Sequence, residues 1–104
     1  MSATHIGELE QHVLAGIIVN SECASGYVLR ECASQSLGRK VTTGVLYATL
    51  DRLLSKGLVT YVVGEGSIDR GGRPQRFFSI TGEGRTALSD ALSGHQRLAR
   101  LVAQ

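Results

Sequence analysis

At 104 residues the chain has the size of one domain, or of one domain carrying a dimerisation arm. Hydrophobic residues make up 42 % and charged residues 19 %, a balance that excludes a disordered or collagen-like chain. The net charge of +2 is modest but polarised: Arg30 stands against four glutamates in residues 1–36, seven basic residues against three acidic ones in 37–80, and three against two in 81–104. The middle is therefore the basic pole, as an electrostatic footprint for phosphates would be. No apolar run approaches the roughly 18 residues of a membrane span, and no basic segment followed by an apolar core opens the chain, so a cytoplasmic location is expected.

Ile6, Leu9, Val13, Leu14, Ile17 and Ile18 recur at helical spacing, with Glu8, Glu10, Gln11 and His12 on the opposite side, which predicts a first helix ending near Val19. His5 and His12 are expected to be solvated or hydrogen-bonded. Asn20 to Ser25 is small and polar and reads as a turn. Ser25 is placed to cap a second helix from Gly26 toward Ser36, whose inner face is Tyr27 or Val28 with Leu29, Cys32 and Ala33. Cys23 and Cys32 lie outside the spacing of a redox or zinc pair, and the three histidines complete no ligand set with them. Neither a metal nor a cofactor is expected, and free thiols are.

Gly38, Arg39 and Lys40 turn the chain into a third helix marked at both ends. Leu46, Leu50, Leu53 and Leu54 form its apolar stripe, Thr42 or Thr43 caps its first turn, and Gly57 stands where a left-handed residue would end it. Its other face carries Thr43, Tyr47, Ala48, Asp51, Arg52 and Ser55, small and polar enough for a DNA groove. Periodicity alone favours one more core helix, and the sequence downstream argues for more.

After Gly57 the period changes. Leu58 to Val63 and Gln75 to Ile80 are rich in β-branched and aromatic residues and predict two strands joined by a glycine-rich loop. That loop lacks a GxxxxGK[ST] motif and opens no helix, so nucleotide binding is not expected; Arg70 and Arg73 suit backbone or minor-groove contacts, or a solvated tip. Thr81 caps a last helix in which Leu88, Leu92, His95, Leu98 or Ala99, and Val102 recur every three or four residues. This stripe packs back on the first helix or pairs with a second copy, and the two-fold symmetry of DNA half-sites favours pairing. His95 is expected to act as a hydrogen-bonded spacer in that seam.

The order helix, helix, helix, hairpin is the winged helix-turn-helix plan, a mainly α (α+β) fold, with residues 1–80 as the DNA-binding unit and 81–104 as the dimerisation helix. Two stretches resemble the PadR family of bacterial winged-helix transcriptional regulators. Thr43 to Val59 is similar to the family's Gly-x-Leu-Tyr, Leu-x-Arg-Leu and closing Gly-Leu-Val pattern. Gly71 to Arg85 is similar to its Gly-Arg-Pro wing, paired aromatics and Thr-x-x-Gly-Arg helix start. Ser25-Gly26-Tyr27 is a weaker echo. The resemblance implies a repressor that is dimeric through its C-terminal helix, binds an inverted-repeat operator and is released by a small molecule or stress signal; the single short C-terminal helix looks like the compact branch of the family. The family usually has Pro where Ala48 stands and Lys or Arg where Gln75 stands. The chain has no Trp, so the aromatic sandwich by which some relatives hold flat drugs cannot form.

The expected contacts to double-stranded DNA are Thr42, Thr43, Tyr47 and Arg52 from the helix, and Arg39, Lys40, Arg70, Arg73 and Arg76 toward phosphates or the minor groove. The dimer seam is expected to hold Leu88, Leu92, His95, Leu98 and Val102. An effector of unspecified identity follows from the resemblance alone. The rival reading is a winged helix whose basic face meets an acidic protein partner. No paired carboxylates and no Ser/His/Asp or Cys/His set stand at a useful spacing, which argues against an enzyme.

Overall fold

The computed structural model describes residues 4–64 and 74–104. Its elements run α1 (Glu8–Val19), α2 (Gly26–Leu37), α3 (Thr43–Ser55), β1 (Val59–Val63), β2 (Arg76–Ile80) and α4 (Gly82–Ala103), so every helix and strand expected from periodicity is present. The strands form one antiparallel pair, in register from Val59 opposite Ile80 to Val63 opposite Arg76.

Helix ends follow local chemistry. Ser25 Oγ accepts the Val28 N–H at the start of α2, and Gly38, at φ +75°, closes that helix. Of the two threonines before α3 it is Thr42 that caps, its Oγ1 accepting the Val45 N–H at 3.2 Å. At the other end Gly57 adopts φ +73°, which a Cβ would disfavour. There the Gly57 N–H reaches Leu54 O and the Leu58 N–H reaches Leu53 O, both at 3.0 Å, the paired bonds of a Schellman motif.

The core joins all the elements: Val13, Leu14 and Ile17 from α1, Leu29 and Ala33 from α2, Leu46, Leu50 and Leu53 from α3, Val59 and Phe78 from the hairpin, and Ala87 and Leu88 from α4. The core therefore continues past residue 80. Three placements differ from the sequence reading. Glu10, assigned to the solvent side of the first helix, is buried, because Lys56 arrives from the end of α3 to pair with it at 2.7 Å. Tyr27, offered for the inner face of the second helix, is 60 % exposed, and Leu29 and Ala33 fill that face. The segment before α2 is more than a turn: Ser25 bridges Phe77 and the Phe78 N–H donates to Ala24 O at 2.9 Å, which ties the start of α2 to the edge of β2.

Candidate nucleic-acid interface

The stripe of α3 turns Leu46, Leu50 and Leu53 inward, so Thr43, Gly44, Val45, Tyr47, Ala48, Asp51, Arg52 and Ser55 are left exposed. Thr49 is the polar exception on the inner side. It is fully buried, and its Oγ1 donates to Val45 O at 2.9 Å, which satisfies the hydroxyl within the helix. Its position, i+3 from Leu46 and i−4 from Leu53, falls on the inward stripe, but a reading that follows the leucines alone passes over it.

Tyr47 is where α3 meets the rest of the basic face. Its hydroxyl lies against the α-carbon of Gly26, so closely that a Cβ there would collide with it. The Ser-Gly-Tyr of α2 and the Leu-Tyr of α3 are thus two halves of one contact, a pairing that sequence reasoning missed. Beside it, Ser25, Gly26, Tyr47, Pro74, Gln75 and Arg76 line a polar notch of about 230 Å³ between the start of α2, the middle of α3 and the base of the hairpin. Arg76 is held there by stacking: its guanidinium stands 4.9 Å from the Tyr61 ring centroid, as the register allows for a residue diagonal to Tyr61 on one face.

The other basic candidates are dispersed. Arg39 pairs with Glu8 at 3.4 Å, an exposed bridge toward the start of α1. Arg52 donates to Thr49 Oγ1 at 3.2 Å, and its charge acts on the buried Glu10 carboxylate. Lys40 is exposed in the turn that leads into α3. Thr42 has its hydroxyl engaged in the cap, while Thr43 is exposed beside Tyr47. Arg70 and Arg73 lie outside the described residues. The structure therefore sets Thr43 and Arg76 each beside Tyr47, in two separate notches, and draws Arg39 and Arg52 toward α1.

The residues expected in a seam on the last helix divide in two. Leu88 is only 6 % exposed and belongs to the core of its own chain, and His95 Nε2 lies 3.0 Å from Gln11 Oε1 of α1. Leu92, Leu98 and Val102 are open, together with Leu101, which counting every third or fourth residue passed over because it sits at the edge of the stripe. Between α1 and α4 runs an apolar groove of about 560 Å³ whose walls include Ile6, Ala15, Leu88 and Leu92, with all three histidines along it. Among the described residues no helix is long and apolar enough to cross a membrane, and no cluster of three metal-ligating side chains occurs.

Three helices, a capped third helix with an open outer face and a two-stranded hairpin rooted beside it define a winged helix-turn-helix. No family model matches the chain, and no curated protein matches it. Solved structures do. A PadR-like transcription factor from Bacteroides fragilis superposes with a TM-score of 0.73 at 23 % identity, over 91 % of this chain and 86 % of that one. A PadR family transcriptional regulator from Eggerthella lenta gives 0.68 at 25 % identity, over 88 % and 77 %. Bacillus subtilis PadR in complex with operator DNA gives 0.65 at 20 % identity, over 81 % of this chain and 47 % of that longer one. The chain has the fold of the PadR-type transcription regulators.

Proposed function

We propose that this chain is a DNA-binding transcription regulator of the PadR type, a homodimeric repressor that places α3 of each copy in successive major grooves of an inverted-repeat operator. The observation that carries this reading is the open outer face of α3, set beside Arg76 at the base of the hairpin and free of the core that holds its leucines. The likeness to a regulator solved with operator DNA supports it. Thr43 and Tyr47 are assigned to the groove and its backbone, and Lys40 and Arg76 to phosphates. Arg39 and Arg52 join them by exchanging their present partners, and Thr42 acts through its cap. Arg70 and Arg73 are assigned to the minor groove from the sequence alone. Residues 1–80 with the first turns of α4 form the DNA-binding unit, and the open end of α4, through Leu92, Leu98, Leu101 and Val102, pairs with its copy.

Selection of bound duplexes from a random pool tests the proposal. An inverted repeat with half-sites about 34–36 Å apart is expected, one helical turn of DNA. If each subunit neutralises about 4 phosphates, log K against log salt should fall with a slope of about −7. Failure to retain any duplex at low salt would overturn the reading in favour of a protein-interaction module.

A further inference from the structure

The outer face of α3 is unusual in what it lacks. Bidentate reading of bases uses Arg or Lys on guanine, Asn or Gln on adenine, and a carboxylate on cytosine. From Thr43 to Ala48, the turns by which a helix enters a groove, the exposed residues are Thr43, Gly44, Val45, Tyr47 and Ala48, and none of them is of those types. The first such residues are Asp51 and Arg52, at least three positions further along, and Arg52 is turned back onto Thr49. Tyr47 has its hydroxyl seated against Gly26, which leaves its exposed ring for the DNA backbone and takes its polar end away from base edges. Thr43 is exposed as well, but a threonine hydroxyl bonds to donors and acceptors alike and so discriminates little between bases. Val45 remains, 49 % exposed, with Ala48 at i+3 on the same face. Beside them a Cβ on Gly44 would have nothing within 4 Å, so at that position the helix presents bare backbone.

From this arrangement we infer that Val45 is the specificity-determining residue of α3 and, with Ala48, reads the C5-methyl groups of thymines in the major groove. Gly44 lets the helix approach closely enough for methyl to meet methyl. Apolar contact is the one form of direct readout open to such side chains, and thymine is the one base that offers a methyl group there. The half-site under the start of α3 is therefore thymine-rich, and it is discriminated by apolar fit. The inference rests on the operator reading above, and its test separates the two.

The probe is the duplex recovered by selection, with thymines replaced one at a time by deoxyuridine, which removes the methyl and leaves pairing intact. At one or two positions per half-site each replacement should weaken binding about fourfold, the effect of one buried methyl group. Val45→Ala should weaken binding to the thymine duplex by a similar factor and leave affinity for the deoxyuridine duplex nearly unchanged. Its thermal unfolding should match the unsubstituted protein, since the side chain is half in solvent. Tight binding of the selected duplex with no effect of deoxyuridine at any position would overturn the methyl readout and leave the operator reading standing. Failure to bind any duplex would remove both.

Discussion

Glu10 is 6 % exposed and carries its charge inside the fold. Burial by itself pushes its carboxyl up, but the Gly7 N–H at 2.8 Å, the Lys56 ammonium at 2.7 Å and the field of Arg52 outweigh that, and the net position is below the usual carboxylate value. A group held lower in the folded state contributes stability above its unfolded value and loses that contribution as pH falls through its folded one. Glu10→Gln should therefore cost about 1.5–3 kcal/mol at pH 7, the range for a hydrogen bond to a charged group. In urea unfolding the gap between variant and parent should begin to narrow as pH falls past the ordinary glutamate value of about 4.3, and it should close only below the lower folded value, where both carry a neutral side chain. An equal gap at pH 7 and pH 3 would show that Glu10 acts through packing and not through its charge. The sequence shows only a glutamate beside Gln11 and His12 on a helix. Its partner lies 46 positions away, and no local pattern announces that.

At the scale of the element, α4 shows how far local signals reach. Thr81 caps it as its sequence suggests, its Oγ1 accepting the Gly84 N–H at 3.0 Å. The same hydroxyl donates to Gly57 O at 2.8 Å, and the Thr81 N–H donates to Leu58 O at 3.0 Å, so the cap also fastens α4 to the end of α3. Gly82 and Gly84 read alike in the sequence, as two residues that weaken a first turn. Their surroundings separate them. A Cβ on Gly82 would meet nothing within 4 Å, whereas one on Gly84 would overlap the Leu58 carbonyl, a backbone group that cannot step aside. Gly84→Ala should therefore destabilise the protein by about 1–3 kcal/mol despite the better helix propensity of alanine. Gly82→Ala should be neutral or stabilising, by up to about 1 kcal/mol. Thermal unfolding followed by circular dichroism checks the pair, and equal effects would mean that the close seat of α4 on Leu58 does not constrain the helix.

For the molecule as a whole the decisive feature is its elongation, 55 × 32 × 21 Å, with a last helix of 22 residues, about 33 Å long. The first turns of that helix complete the core through Ala87 and Leu88, and the same apolar stripe then continues past it into solvent through Leu98 and Val102, 58 % and 77 % exposed. Replacing both by aspartate should leave the unfolding of the globule within about 0.5 kcal/mol, as for surface positions generally. It should convert the proposed dimer to monomer in sedimentation equilibrium and reduce operator affinity at least tenfold, because one half-site then binds without its mate. A doubly substituted protein that still sediments as a dimer would move the seam elsewhere.

The residues of this chain by themselves determined its elements and their ends. Leucine spacing, threonine and serine caps, the Gly57 stop and the switch to β-branched residues all act within a few positions, where side-chain period and hydrogen-bond reach are set by the backbone. Which candidate contacts share a surface was decided by the tertiary structure alone. Tyr47 meets Gly26 and shares a notch with Arg76, Glu10 meets Lys56, and Leu88 turns inward while Leu98 does not, through neighbours that only packing creates. Such contacts depend on how whole helices cross, and the period of one helix carries no record of what its neighbour presents to it.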